Sequence, residues 1–486
     1  MHHDEANQAV RFGILLETGD YRYDRHDHHG PTLYYLTLPF AWMRGQRSLA
    51  ALDEQTLRVV PAAFGASTLL LFLLLSRGIG RVAVASTAAL AAVSPFVVYY
   101  NRFYIQEPLF VFFVVAFLVA LGFYATRPGT GAAIAAGLAA GFAYATKETS
   151  IIVLPMAVVA CVLARQTATL DISSGTDRDM LSVPVLRHAV AAAVAAVTPP
   201  LFLFTSLFRY PAGLIDSVGA FDIYVSRGVD PGPHVQPWFT YLKMFAWSSS
   251  DGLRWTEALV LVLAGIGGIH AIAARRTSFW PFYLCAYTIL TTVVFSAVPY
   301  KTPWNALPFY IGFVFLAGIG VAAMLTRARR PIVRISMGIV LVAALSQLAS
   351  QSVRANFTYP ADPRNPYVYA HTTPDYLKLV SRVHELAAVH PAGHDMLVKV
   401  VAGPHEQWPF PWYARHLTQV GYWSSPLDAG RLSGVPVIVA SQDRAPAVEA
   451  AVGDRYVSEF YGLRPDVLLT VYIERGLWDR FLQTRQ

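Results

Sequence analysis

The stretch 92–121, AVSPFVVYYNRFYIQEPLFVFFVVAFLVAL, holds two apolar runs separated by a short polar turn that carries Arg102 and Glu107. The run after Glu107 approaches the roughly 20 residues that cross a bilayer as a helix. In lipid, such a run satisfies its backbone N–H and C=O groups only as a helix or in a closed barrel. The stretch therefore predicts two membrane helices joined by a turn outside the hydrocarbon.

The same pattern continues through most of the chain. Of its 486 residues 55% are hydrophobic and only 14% are charged, whereas soluble domains average about 25% charged residues. This composition indicates an α-helical polytopic membrane protein of about ten spans. The predicted spans are 57–76, 82–100, 108–125, 131–146, 150–164, 187–208, 257–274, 279–298, 304–326 and 332–350.

The loop charges predict the orientation. Arginines concentrate in alternate loops, at Arg77, Arg81, Arg127, Arg165, Arg178, Arg187, Arg275, Arg276 and in the run 327–334. By the positive-inside rule those loops are cytoplasmic, and the opposite short loops carry only Arg102, Lys147 and Lys301. We therefore expect a multi-pass protein of the plasma membrane. The net charge of +7 is scattered over short loops rather than one face, so we expect no nucleic-acid partner.

Three regions follow from this topology. Residues 1–56 form a first outer loop with short interfacial helices at 6–17 and 33–44. Residues 57–350 form the bundle, with a long outer loop at 209–256. Residues 351–486 predict an extracytoplasmic α/β domain, with a helix at 375–387 and strands at 396–402, 435–441 and 467–474. Because no signal precedes the outer start, we expect the first helix of the bundle to be missing from this sequence.

Carboxylates and cations gather at the outer helix ends. They are Asp4, Glu5, Arg102, Glu107, Lys147, Glu148 and Lys301. Cations there can hold a lipid-linked phosphate, while a carboxylate can remove a proton from an attacking hydroxyl. For each residue alone, an ion pair between helix ends is the alternative. The convergence on one side favours a phosphate-binding reaction centre.

Histidines open further alternatives. His2, His3 and Asp27 are metal-ligand candidates beside Asp4 and His26, so a divalent ion is possible. Neither the group at 2–5 nor the group at 26–29 has two ligands spaced i, i+4 on a helix. We therefore expect that the reaction requires no cofactor. His28 and His29 can instead bind phosphate. Trp304 can contact the lipid or anchor the interface, and Trp412 can pack or contact a sugar.

Three segments carry a resemblance to a known superfamily. LRVVPAAFGASTLLLFLL (57–74), the stretch 92–121, and GLAAGFAYATKETSIIVLP (137–155) resemble the glycosyltransferase-C superfamily. The chain is similar to its branch with dolichyl-phosphate-mannose protein mannosyltransferases and aminoarabinose transferases, glycosyltransferase family 39. The stretches HHDEA (2–6), PYKTPWN (299–305), PYVYAHTTPD (366–375) and WPFPWYAR (408–415) are most similar to the flippase-activity-associated archaeal and bacterial subgroup. HHGPTLYY (28–35) departs from the usual Lys-Pro-Pro form.

The resemblance implies an inverting transfer of a sugar from a polyprenyl-phosphate donor to a glycan, lipid or protein acceptor outside the cytoplasm. It implies that Asp4 is the general base and that Glu5 supports Asp4 or orients the acceptor. Arg102 and Lys301 then face the lipid phosphate, and Glu107 orients Arg102. A non-catalytic protein that assists the flipping or presentation of lipid-linked oligosaccharides is the alternative function.

Overall fold

The chain folds into a helical bundle that carries a mixed α/β unit. The computed structural model describes residues 1–26, 29–168, 183–229 and 235–485. Asp27, His28 and Arg178 lie outside the described residues. Two helices precede the bundle, α1 (His3–Thr18) and α2 (Thr32–Met43), and they agree with the predicted helices at 6–17 and 33–44.

The bundle helices follow the predicted spans, and additional helices lie in the predicted outer loop 209–256. In chain order the helices are α3 (Glu54–Leu74), α4 (Ser76–Ile79), α5 (Arg81–Val93), α6 (Pro95–Tyr100), α7 (Glu107–Thr126), α8 (Thr130–Thr146), α9 (Ser150–Thr167), α10 (Val183–Phe204), α11 (Ala212–Val229), α12 (Thr240–Ala246), α13 (Ala258–Ala273), α14 (Phe279–Ala297), α15 (Leu307–Arg327) and α16 (Pro331–Val353). Those in the outer loop are α11 and α12. A short hairpin of β1 (Ser248–Ser250) and β2 (Leu253–Trp255) follows α12. The predicted span 82–100 is divided at Ser94, whose hydroxyl accepts a hydrogen bond from the Val97 N–H and caps α6.

Seven helices within the described ranges are long and apolar enough to cross a membrane. They are 54–74, 107–126, 150–167, 185–204, 279–297, 303–327 and 331–358. Three further predicted spans correspond to shorter apolar helices, Arg81–Val93, Thr130–Thr146 and Ala258–Ala273. The prediction of a polytopic α-helical membrane protein is confirmed, while the count of ten stays a prediction.

Small residues let the bundle helices approach closely. A Cβ added to Gly267 of α13 would collide with the carbonyl oxygen of Leu316, and one added to Gly320 of α15 would collide with that of Leu263. Close approach at small residues gains van der Waals contact where lipid supplies no hydrophobic driving force. These two glycines therefore fix the α13–α15 contact.

The α/β unit holds a five-stranded sheet in the order β4-β3-β5-β7-β6. Its elements are α17 (Pro374–Val389), β3 (Val398–Val401), α18 (Phe410–Tyr413), β4 (Val420–Trp423), β5 (Val437–Ser441), α19 (Ala445–Val452), β6 (Tyr456–Arg464), β7 (Val467–Glu474) and α20 (Arg475–Gln483). Strands β4, β3 and β5 are parallel, and β7 is antiparallel to β5 and β6. The three predicted strands are the central ones. The prediction lacks the edge strands β4 and β6, because β4 is only four residues long and partly buried, while β6 has Ser458 and Glu459 among its apolar residues.

Candidate active site

The first turn of α1 presents two adjacent carboxylates. The Nδ1 atom of His2 accepts a hydrogen bond from the Asp4 N–H at 3.1 Å, and Glu5 Oε2 accepts one from the His2 N–H at 3.0 Å. This reciprocal capping satisfies N–H groups that have no partner within the helix. Carboxylates in the first turn also interact favourably with the helix dipole. The sequence HHDE therefore starts the helix and fixes both acidic residues.

Glu5 is completely buried and fully engaged. Its carboxylate accepts hydrogen bonds from Arg58 Nε at 2.7 Å, Arg58 Nη2 at 2.8 Å, and the N–H groups of His2 and Tyr104 at 3.0 Å. Burial raises the pKa of Glu5, but the Arg58 guanidinium, the N-terminal ammonium and the His2 N–H together lower it to about 2. Glu5 thus joins α1 to α3 and to the turn 101–106, and it holds Asp4 in place.

Asp4 has the opposite environment. Its side chain is 39% exposed, so the carboxylate is accessible from solvent. Burial raises the pKa of Asp4, but the imidazoles of His2, His3 and His29 and the ammonium of Lys147 together hold it below its ordinary value. Asp4 is therefore an ionised carboxylate at neutral pH, and it is open to an incoming group.

His2 links Asp4 to the outer segments. Its Nε2 lies 2.9 Å from the carbonyl oxygen of Tyr369. Because Nδ1 accepts from the Asp4 N–H, the hydrogen-bond network assigns the proton to Nε2. The ring lies 5.8 Å from Trp304 and 4.6 Å from His371, measured between centroids. Trp304 therefore packs at the edge of the Asp4 site.

One side of the site, the bundle wall, consists of Glu107, Lys147 and Asn305. Lys147 and Glu107 form an ion pair and each side chain is only 3% exposed. Lys147 also donates to Asn305 Oδ1 at 3.0 Å. Glu107 begins α7 and Lys147 follows α8, so the ion pair joins two helix ends. These bonds use two of the three ammonium N–H groups of Lys147.

A second pair extends this wall. His29 Nδ1 lies 2.8 Å from Glu148 Oε2, and the Tyr23 hydroxyl donates to Glu148 Oε1 at 3.1 Å. Gly30 permits this arrangement, because a Cβ at Gly30 would collide with the carbonyl oxygen of Ala145 at the end of α8. The first outer loop therefore packs directly on α8.

The opposite side, the domain wall, consists of His3, His405, Trp408 and Arg464. The His3 ring lies 5.9 Å from that of His405 and 6.1 Å from that of Trp408. Arg464 donates to the carbonyl oxygen of His405 at 3.1 Å. Burial lowers the pKa of His3 to about 4, so its imidazole is neutral at pH 7. Sequence reasoning missed His405 and Arg464, although His405 lies close to the stretch 408–415 that carries the family resemblance.

Arg102 and Lys301 are engaged elsewhere. Arg102 donates to the carbonyl oxygen of Asn356 at 2.6 Å and to its side-chain Oδ1 at 2.9 Å, and it stacks over Phe357. Lys301 donates to the carbonyl oxygens of Val298 and Gln236. Among the described residues, no hydrogen bond or ion pair joins either cation to Asp4. Arg102 thus joins the turn 101–106 to the segment after α16, and Lys301 joins the segment before α15 to the segment before α12.

One expected contact is wrong. Glu107 pairs with Lys147 rather than orienting Arg102, because the turn 101–106 directs Arg102 to the segment after α16 while Glu107 faces the end of α8.

Trp412 is 1% exposed and lies under Arg415, so it packs and does not offer a sugar contact.

The described side chains include no group of three His, Cys, Asp or Glu arranged to hold a metal ion. Both ring nitrogens of His2 already take part in hydrogen bonds, to the Asp4 N–H and the Tyr369 carbonyl. His2 therefore has no lone pair to offer a metal in this arrangement. Asp27, a further candidate ligand, lies outside the described residues.

Comparison with known proteins agrees with this architecture. The sequence profile of a family described as dolichyl-phosphate-mannose-protein mannosyltransferase matches residues 37–204. No curated protein sequence matches the chain. The likeness to the flippase-activity-associated subgroup stays a prediction.

Solved structures extend the likeness to nearly the whole chain. The structure of ArnT from Cupriavidus metallidurans bound to undecaprenyl phosphate has a TM-score of 0.59 at 15% identity, covering 98% of this chain and 94% of that one. The Archaeoglobus fulgidus oligosaccharyltransferase, tethered with an acceptor peptide containing the NVT sequon, has a TM-score of 0.56 at 12% identity, with coverage of 98% and 72%. The chain is therefore a multi-pass membrane protein with the glycosyltransferase-C superfamily fold.

Proposed function

We propose that this protein transfers a sugar from a polyprenyl-phosphate donor to an acceptor outside the cytoplasm, with Asp4 as the general base. The observation that carries the proposal is the contrast between two neighbouring carboxylates. Glu5 is buried and accepts four hydrogen bonds, whereas Asp4 is ionised, 39% exposed and surrounded by imidazoles. The likeness to ArnT, which was solved with undecaprenyl phosphate, supports the class of donor.

The proposed reaction is an inverting displacement. Asp4 accepts the proton of an acceptor hydroxyl while that oxygen attacks the anomeric carbon of the donor sugar. The bond from the anomeric carbon to the phosphate oxygen breaks, and the polyprenyl phosphate leaves with one more negative charge. A positioned general base contributes about 10²- to 10⁴-fold to such a step.

The leaving phosphate needs a cation, and Lys147 is the lysine whose charge acts on Asp4. In this proposal the third N–H group of the buried Lys147 ammonium turns to a phosphate oxygen. A well-placed donor in a partly dry site stabilises the developing charge by about 3 kcal/mol. His29 borders the same side, while phosphate binding by Arg102, Lys301 and His28 stays a prediction.

Side chains supply both the base and the cation in this scheme. We therefore infer that no cofactor is required, and we expect chelation of divalent ions to leave transfer unchanged. The positive-inside pattern favours a reaction at the outer face of the plasma membrane, with residues 351–486 on the same side.

A transfer assay tests the proposal. Purified protein is incubated with a panel of radiolabelled polyprenyl-phosphate sugars and extracted membranes. We expect wild type to move label into a new product and Asp4→Asn to move it about 10³-fold more slowly while still binding the donor. Asp479→Asn, a control on the exposed face of α20, should match wild type. Unimpaired activity of Asp4→Asn contradicts the proposal. Absence of transfer from any donor favours the flipping helper. In that case flipping of the lipid-linked oligosaccharide should depend on Arg102 and Lys301 and not on Asp4.

A further inference from the structure

The domain wall lies beside Asp4 but takes no part in the proposed proton transfer or phosphate binding. Its side chains come from α1, from the loop 402–409 after β3 and from the end of β6. His405 is exposed and Trp408 is half-buried. A group that enters beside Asp4 from the α/β unit therefore meets two imidazoles, an indole and a guanidinium.

The loop that builds this wall is held in a fixed shape. The Gly403 N–H donates to Glu406 Oε2 at 3.2 Å, and Gln407 Nε2 donates to the carbonyl oxygen of Ala402 at 2.9 Å. Arg464 holds the tip of the loop through the carbonyl oxygen of His405. Rigid side chains bind a partner with less loss of conformational entropy.

The loop also lies where open α/β sheets bind ligands. Strand β3 has β4 on one side and β5 on the other. The connection after β3 therefore runs to one side of it, and the connection after β4 returns to the other side. Ligands bind outside the carboxyl ends of parallel strands at such a switch point. Here the carboxyl end of β3 continues into the residues that contact His3.

The chemistry of the wall fits a carbohydrate. An indole offers an apolar face to the C–H face of a sugar ring, and a guanidinium presents paired N–H donors to neighbouring hydroxyl or acidic oxygens. The neutral His3 imidazole offers both a donor and an acceptor. The combination favours a glycan over a peptide, because a peptide backbone has no apolar ring face to lie on the Trp408 indole.

We propose that His3, His405, Trp408 and Arg464 form the acceptor subsite, and that the acceptor is a glycan whose hydroxyl is placed on Asp4. This inference rests on the proposed glycosyltransferase activity and adds the class of acceptor and its binding site to it. Arg464 is a specificity residue for the acceptor and does not contact the donor.

The test compares Arg464→Gln with Arg475→Gln, which removes an exposed arginine of the same unit that donates to the backbone of Asp454. Initial rates are measured with the labelled donor against two acceptors: the oligosaccharide fraction released from membranes and a Ser/Thr-containing peptide. Hydrolysis of the donor by water is measured separately, because water needs no acceptor subsite. His405→Ala serves as a second variant that keeps the carbonyl held by Arg464.

We expect Arg464→Gln to raise the KM for the oligosaccharide about 10-fold or more, the effect of losing a hydrogen bond to a charged group. The KM for the donor and the hydrolysis rate should stay at wild-type values, which also shows that the variant folds. Arg475→Gln should change neither value. A raised donor KM, or transfer to the peptide but not to the oligosaccharide, overturns the acceptor subsite alone. Absence of both hydrolysis and transfer in wild type overturns the proposed function and this inference with it.

Discussion

The bundle wall and the domain wall border the same carboxylate and differ in how far their side chains are buried. The bundle wall is closed, since the Lys147 and Glu107 side chains are each 3% exposed and satisfy one another. The domain wall is open and holds a neutral His3 and an exposed His405. Glu107 and Asn305 hold the Lys147 ammonium in a fixed position, which suits the phosphate group that every donor of this class carries. An open wall of rings suits a group that must enter and leave.

Breaking the bundle wall should give the largest effect. Lys147→Met leaves the Glu107 carboxylate buried without its cation, which costs about 3–5 kcal/mol in stability. It also removes the proposed phosphate donor, worth about 100-fold in transfer rate. Thermal unfolding in detergent and initial transfer rates measure the two effects.

A double variant separates them. Lys147→Met with Glu107→Leu replaces the pair with apolar side chains, so we expect the unfolding temperature to recover while transfer stays low. Recovery of both would show that Lys147 acts only in the structure.

Glu5→Gln tests the carboxylate that fixes Asp4. The substitution removes a buried charge that Arg58 neutralises, and we expect a loss of about 3 kcal/mol, the low end for buried pairs because Arg58 is 34% exposed. Denaturant unfolding at neutral pH measures the loss. The result would contradict the positioning role if stability were unchanged while transfer disappeared.

The pH dependence of stability gives a second reading of Glu5. Its pKa falls from 4.5 to about 2 on folding, so its stabilising effect is complete above pH 4.5 and is lost as the pH falls toward 2. Wild type should therefore lose stability more steeply than Glu5→Gln across that interval. Parallel curves would contradict the assignment.

His29→Asn should shift the pH dependence of transfer. The imidazole of His29 helps to hold the pKa of Asp4 below its ordinary value. Without the His29 imidazole, burial raises the pKa of Asp4 further, so Asp4 takes up its proton at higher pH. The acidic limb of the kcat profile should move upward, and a downward shift would contradict the account.

Arg102→Gln should have the smallest effect on the donor. Because Arg102 donates to Asn356, we expect the donor KM to change less than about 3-fold. This change is smaller than the one that follows the loss of a hydrogen bond to a charged group. The family resemblance instead predicts phosphate contact and a change of about 10-fold or more. Steady-state kinetics distinguishes the two.

The sequence predicted most of the bundle and half of the site. Long apolar runs require helices in lipid, and charges at their ends are conspicuous, which is why Asp4, Glu107 and Lys147 could be selected. Arg58 lies inside a predicted span, so nothing marked it as the partner of Glu5. His405 and Arg464 are remote from Asp4 in sequence, and only the fold of the α/β unit brings them to it.

The central claim is that Asp4 accepts the proton of the acceptor hydroxyl, and one measurement tests it most directly. Single-turnover transfer and donor binding are measured on the same preparation of Asp4→Asn. We predict a rate about 10³-fold below wild type with an unchanged donor Kd. A transfer rate equal to that of wild type would contradict the claim.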